Sequence, residues 1–361
     1  MQKKLLAAVV ASMVAGQAMA VTLVDDGTNK ATIGGYLDLR YTDQDNAVKG
    51  HAGDSSRINF AFEHKLTEAT TVFTKAEWGF DTTNGDTFEE VDAGGHPVDK
   101  DFMWQRLAYI GAKNDQYGSV AFGKQWSTYY TVAGWTDVMA TSGGNTVGVY
   151  SVLGDQLGTA RADDAIQYNH SIMGLNISAQ AQLGERAVTA AFDGADITSG
   201  TRDGSYAVAA SYDLPMGLSI GAAYNQAEVK DLTVLVNGSD KLKAKSAVLG
   251  AKFEADKIYA AFTYAKLDNL NDGVLGLVEE AEGMELYASY QLNDMFKIGG
   301  GYNQLKDKSN YAAAVDKGEI KYVPVEVVYT QGPVQLSGTY EFQDSVKAGT
   351  TEKVKDKIIL Q

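Results

Sequence analysis

Residues 101–126 read DFMWQRLAYIGAKNDQYGSVAFGKQW, and residues 126–161 continue as WSTYYTVAGWTDVMATSGGNTVGVYSVLGDQLGTAR. The first part holds two alternating runs, 101–113 and 117–126, joined by the tight turn Asn114-Asp115-Gln116. Alternation of apolar and polar residues marks a strand whose two faces meet different surroundings. The second part, from Trp126 to Arg161, keeps neither a strand nor a helix period. Compact domains rarely carry so long an irregular segment unless it is functional. A further strand begins near Asp163, so the functional part of the chain is expected at about 127–160.

The same alternation recurs outward from this pair in both directions. Segments 31–43, 55–66 and 69–81 precede it. Segments 163–171, 174–184, 204–213, 216–228, 244–254, 256–267, 283–293, 295–306, 320–331, 333–343 and 353–361 follow it. In 55–66, Ile58, Phe60, Phe62 and His64 point one way, while Arg57, Asn59, Ala61 and Glu63 point the other. In 69–81, Trp78 and Phe80 oppose Lys75 and Glu77. The segments number sixteen. Turns of two or three residues alternate with loops of roughly 10 to 20, the rhythm of transmembrane barrels with short periplasmic turns and long outer loops.

Composition narrows the possibilities. The formal charge of −15 argues against nucleic acid as a partner, since phosphate binding needs clustered Lys and Arg. With no cysteine, neither a disulfide nor a thiolate metal site can form. Glycine at 38 and tyrosine at 20, against 4 prolines, suit many strands and turns. Beyond residue 20 no apolar run is long enough for a spanning helix, yet alternating barrel strands average to low hydropathy and remain possible. The competing architecture is a soluble all-β protein with a dry core. Against it, one face of every strand holds Arg, Lys, Glu, Asn and Gln, as a water-filled lumen requires.

Residues 1–20 read as an export leader. Lys3 and Lys4 form a positive n-region, Leu5 to Ala15 the apolar stretch, and Ala18-Met19-Ala20 an A-x-A cleavage site. Removal of the leader leaves a domain at 21–361 and takes two lysines from an already acidic chain.

The run RLAYIGAKNDQYGSVAFGKQW, followed by WTDVMATSGGN, resembles the general porins of Gram-negative outer membranes. The RLA-x-x-G strand, the YGS turn and the WTDV-loop-GG stretch carry the resemblance, which extends over essentially the whole chain. It implies an all-β transmembrane antiparallel barrel of sixteen strands, assembled as a homotrimer. It also implies that the third long loop, here about 127–160, folds into the lumen and narrows it. In such porins a row of wall arginines faces acids on that loop. Arg57, Arg106 and Arg161 match the row. Strand parity agrees: Arg57 shares a polar face with Asn59, Arg161 is in phase with Gln167 and Asn169, and Arg106 lies opposite the apolar Leu107 and Tyr109. On the loop, Asp137 matches a family carboxylate. The next family acids fall on Thr141 and Asn145, so two of three are absent. A lysine common on the first strand falls near Gly35. Gly143 and Gly144 would let the loop turn tightly. Opposed charges across a narrow aqueous neck orient water and penalise apolar solutes.

Other features are weaker. Trp126, Tyr129, Tyr130 and Trp135 would anchor the loop root; a stacking track for sugars is the alternative. Acids crowd residues 81–101 (Asp81, Asp86, Glu89, Glu90, Asp92, Asp99), either as a solvated outer loop or as ligands for divalent cations that bridge to lipopolysaccharide. His51, His64, His96 and His170 lack metal-ligand spacing, and no nucleophile motif or phosphate loop is present. Family members end in a strand closed by an aromatic, whereas this sequence ends Lys357-Ile-Ile-Leu-Gln361, so a short last strand is expected. The expected function is passive diffusion of ions and small hydrophilic solutes across the outer membrane, without catalysis, cofactor or metal. Its expected partners are outer-membrane lipid and lipopolysaccharide. A solute-specific channel for sugars or oligoanions is the alternative, and an adhesion or receptor barrel a more distant one.

Overall fold

The computed structural model describes residues 20–44, 50–52, 56–82, 89–91, 97–99, 103–192, 195–232, 239–272, 275–310, 317–349 and 352–361. Twenty strand segments form one antiparallel sheet, and Glu89–Val91 with Pro97–Asp99 forms a separate short ladder. From Asn29–Tyr36 the pairing passes to Ser56–Lys65, Thr70–Phe80, Met103–Asn114 and Gly118–Trp126. It continues through Arg161–Ile172, Leu175–Gln182, Ala195–Asp213, Leu218–Lys230 and Leu242–Ala255. Ile258–Asp272, Gly276–Gln291, Phe296–Asp307, Glu319–Gln331 and Val334–Gln343 come next. Lys357–Leu360 pairs with 338–341 on one side and with 41–44 on the other. No helix among the described residues is long and apolar enough to cross a membrane, which says nothing about strands.

The two faces of the sheet are inverted relative to a soluble protein. On Glu319–Gln331, Tyr322 and Glu326 are buried while Val323, Val325 and Val327 are exposed. Elsewhere Phe62, Ile110, Phe122, Ile220, Leu249, Leu286 and Leu336 are exposed, whereas Gln167, Gln180, Asn225, Thr263, Glu285 and Thr339 are buried. A soluble monomer rarely leaves so large an apolar surface uncovered. Tyr206, Tyr212, Tyr290, Tyr340 and Phe342 add large aromatic rings to the exposed set.

Local chemistry explains where the expected segments changed. The run expected at 31–43 breaks between Asn29–Tyr36 and Arg40–Gln44. There the Asp38 N–H donates to Ser56 Oγ at 2.8 Å, and Gln361 Nε2 donates to Asp38 Oδ1 at 2.8 Å. Side chains thus take over hydrogen bonds that a ladder would supply. The strand expected at 204–213 extends back to Ala195, because its first half pairs with Arg186–Phe192. Glycine and aspartate dilute the alternation there, so the sequence read as loop. The leader at residues 1–19 lies outside the described residues, as does most of the acidic stretch 81–101, with His96.

The main apolar core lies not within the sheet but between its buried face and the irregular segment. Tyr129, Val132, Trp135, Val147 and Val149 pack with Ala223, Val248, Ala261, Leu267 and Leu305.

Candidate functional site: an irregular segment against a basic wall

Residues 127–160 hold two single-turn helices, Tyr130–Ala133 and Gly154–Leu157, and otherwise follow an irregular path. Irregular backbone must satisfy its polar groups elsewhere. At the base, Ser127 N–H donates to Ala160 O at 2.8 Å and Ser127 Oγ to Thr159 O at 2.8 Å, which ties the two ends together. Thr128 N–H donates to Gln180 Oε1 at 2.9 Å. The far part of the segment is held by three glutamates on other strands. Glu285 accepts from the Thr146 N–H at 2.7 Å and from the Thr136 and Thr146 hydroxyls. Glu326 accepts from the Ala140 N–H at 2.9 Å, and Glu341 from Ser142 Oγ at 2.8 Å. Approach is close enough that a Cβ at Gly283 would come 1.8 Å from the Thr146 carbonyl oxygen, so only glycine fits there.

The three expected arginines lie near one side of this segment. Arg57 sits with its guanidinium 4.7 Å above the Tyr36 ring and 3.8 Å from Glu77 Oε1. Arg106 donates from Nε to the same oxygen at 2.9 Å. Lys75 Nζ is 3.8 Å from Glu77 Oε2. Arg161 reaches Asp155 Oδ1 at 3.3 Å and lies 5.8 Å above the Trp126 ring, while Lys124 Nζ is 2.9 Å from Asp155 Oδ2. Five cations therefore come from five successive strands, with Glu77 and Asp155 between them.

The parity expected for Arg106 is corrected. Leu107 is buried and pairs with Glu77, and Tyr109 pairs with Lys75, so both lie on the same face as those groups. Strict alternation would send Arg106 to the opposite face. A bulge intervenes: Glu77 pairs with Leu107 and Trp78 with Gln105, which leaves Arg106 as the extra residue. Bulges re-aim a side chain in this way. A second shift, between Gly123 and Gln125, puts the extra residue on the partner strand, where Asp163 and Asp164 oppose Lys124, so the parity of Gln167 does not carry through to Arg161. Alternation alone did not single out Lys124. Glu77 and Lys75 were legible as polar-face residues, but their pairing with the arginines was not.

On the segment, Asp137 accepts hydrogen bonds from Tyr130 Oη at 2.8 Å and Tyr150 Oη at 2.6 Å. Burial pushes the Asp137 carboxyl above the usual range, against the two phenols and the positive field of Arg57. Burial alone would also raise Asp155, but Arg161 and Lys124 outweigh it and hold that carboxyl below its ordinary value. Thr141 Oγ1 donates to Thr339 Oγ1 at 2.7 Å, and Asn145 Nδ2 to Tyr322 Oη at 3.2 Å. Both point to the glutamate-bearing wall rather than the arginines. Gly143 and Gly144 have φ of +94° and +71°, and a Cβ on Gly144 would meet Asp137 Oδ1 at 2.6 Å. Gly35, where a family lysine was expected, pairs with Ile58 and leaves its neighbour Tyr36 beneath Arg57. Tyr129 and Trp135 are buried, Trp126 stacks on Tyr130 at 4.1 Å, and Tyr259 Oη donates to Trp135 O at 2.6 Å. These aromatics hold the segment. Among the described residues no group of acids and histidines is placed to hold a metal ion.

An antiparallel sheet with an apolar exposed face, a polar buried face and an irregular segment beside a basic wall defines a membrane channel protein. The chain belongs to the Gram-negative porin family, whose sequence profile matches residues 6–247. Outer membrane protein F of Serratia marcescens is 27% identical over 354 residues, covering 91% of this chain and 88% of that protein. Outer membrane porin N of Escherichia coli K12 is 25% identical over 350 residues, covering 91% and 89%. Among solved structures, that of Salmonella typhi OmpF in complex with daunomycin superposes with a TM-score of 0.75 at 21% identity, covering 94% of this chain and 98% of that one. The protein is an outer-membrane porin, a channel for passive diffusion and not an enzyme.

Proposed function

We propose that the strands close into a sixteen-stranded barrel whose lumen is narrowed by residues 127–160, and that ions and small hydrophilic solutes pass between this segment and the wall of Arg57, Arg106 and Arg161. The observation that carries this reading is the reach of one segment: it hydrogen-bonds Gln180 near one end and Glu341 on a strand far around the sheet. Pairing of Lys357–Leu360 with 41–44 supports closure. The count of sixteen follows when Arg40–Gln44 and Gly50–Ala52 are taken as continuations of their neighbours, and Arg186–Phe192 and Val21–Asp25 as additions at the rims.

Asp137, Thr141 and Asn145, with the turn at Gly143 and Gly144, shape the segment's side of the neck. Only Asp137 among them brings charge. A sugar-specific track is disfavoured by the burial of Tyr129 and Trp135. Residues 1–20 serve as the leader, and 21–361 form the channel domain. The channel works as a homotrimer within outer-membrane lipid and lipopolysaccharide, which the exposed apolar and aromatic surface suits. Planar-bilayer recording of the refolded chain tests the reading. Ohmic steps closing in threes are expected; folded protein without conductance would overturn it.

A further inference from the structure

We propose that the neck selects small anions, inorganic or carboxylate- and phosphate-bearing, although the chain as a whole carries −15. This rests on the reading of 127–160 as the inserted neck and adds which sign of charge passes through it.

Three ion pairs beside the segment share one polarity, unlike that of Arg202, which is sealed against Gln156 O while its partner Asp164 is exposed. The Glu77 side chain is 7% exposed and its partner Lys75 33%. Glu326 is 0% exposed and Lys297, 3.3 Å away, 26%. Glu341 is 4% exposed and Lys357, at 3.1 Å, 27%. In each pair the carboxylate is sealed and the ammonium meets the water. For Glu326 and Glu341 the reason lies in the segment itself, whose Ala140 N–H and Ser142 hydroxyl cover them, as Thr136 and Thr146 cover Glu285. Those acids act as fasteners and offer little charge to a passing ion.

On the wall that carries Glu77 and Asp155 the numbers favour cations directly. Arg57, Lys75 and Arg106 share Glu77, and Lys124 and Arg161 share Asp155. Asp137 adds a third carboxylate, but its charge is spread over the Tyr130 and Tyr150 hydroxyls. Neighbouring strands lie about 4.8 Å apart, so the cations stand closer together than a Debye length of about 10 Å at 0.1 M salt. A migrating anion stays within the field of one as it nears the next. Acids on the outer loops draw cations to the mouth, but their reach shrinks with salt, whereas partly buried groups are screened less.

The test is the reversal potential of the refolded full chain in a KCl gradient, with both sides at or below about 0.1 M, where the Debye length still spans the cation spacing. A chloride-to-potassium permeability ratio above one is expected. In water one charge about 7 Å from the ion path changes the energy by about RT, a factor of roughly two to three. K75Q with K124Q should therefore lower the ratio by at least that factor, and E77Q should raise it. These two part-buried lysines are used because Glu77 and Asp155 each keep an arginine partner without them. A conducting channel with a ratio below one, or a ratio unmoved by K75Q with K124Q, would overturn the anion inference alone. Lack of any ohmic conductance would overturn the neck reading and the inference with it.

Discussion

Arg106 donates from Nε to Glu77 Oε1 at 2.9 Å, and Arg57 lies 3.8 Å from that same oxygen. One buried carboxylate thus holds two guanidiniums that would otherwise repel each other at short range. The wall is a shared-acid cluster, not a row of unpaired charges, and its geometry depends on a bulge that turns Arg106 inward.

E77Q should therefore destabilise as well as alter selectivity. Removing one partner of a buried pair costs about 3–5 kcal/mol. The midpoint of heat unfolding in detergent should fall, and E77Q/R106Q should recover part of the loss. A double variant no more stable than E77Q would show that the two groups are uncoupled.

Freeing the far end of the segment should widen and unsettle the neck. E285A leaves the Thr146 N–H without its acceptor, while the Thr136 and Thr146 hydroxyls fall back on Thr263 Oγ1 and Met284 O. Such a donor costs about 1–3 kcal/mol when buried and unmade. Single-channel records of E285A should show larger conductance and rapid fluctuation, more so in E285A/E326A. Quiet, wild-type steps from both would argue that the segment is held by its root alone.

G144A tests the turn. A side chain at φ +71° is strained by about 1–2 kcal/mol, and its Cβ would displace the Asp137 carboxylate from Tyr130 and Tyr150. Altered conductance with an intact trimer on a mild gel is the expected outcome, while T141A, at an unstrained neighbour, should change conductance little.

Acidification should act in two steps. Burial raises Asp137, so as pH falls it takes up its proton first and the neck becomes more positive. Its carboxyl favours the folded state at low pH, and that contribution is lost as pH rises through the raised value. Asp155 is depressed by Arg161 and Lys124, so its contribution is complete above the ordinary aspartate range and lost only as pH falls through its lower folded value. Reversal potentials should shift toward anions before the steps become unstable. D137N should abolish the first change and D155N the second; identical titrations of all three proteins would refute the assignment.

Period-two alternation, the rhythm of short turns and long loops, and polar residues on one face of each strand were enough to reach an all-β membrane channel. Each is a local property, because a pleated strand exposes successive residues to opposite sides whatever its neighbours are. The irregular segment was also visible, whereas Arg57, Arg106, Arg161 and Asp137 were singled out by the resemblance to the porins. Tertiary structure alone decided what pairs with what. Glu285, Glu326 and Glu341 look like ordinary polar-face residues until a segment more than 130 residues away in sequence lies across them. Arg106 points inward because a bulge spoils the parity from which its direction would be read, and a second register shift lies between Arg161 and Gln167. Hydrogen bonds and ion pairs join residues that the chain holds far apart, and a one-residue slip reverses every side chain beyond it. On the proposed reading, the sign of the charge that meets a passing ion is a property of the assembled neck and runs opposite to the net charge of the chain.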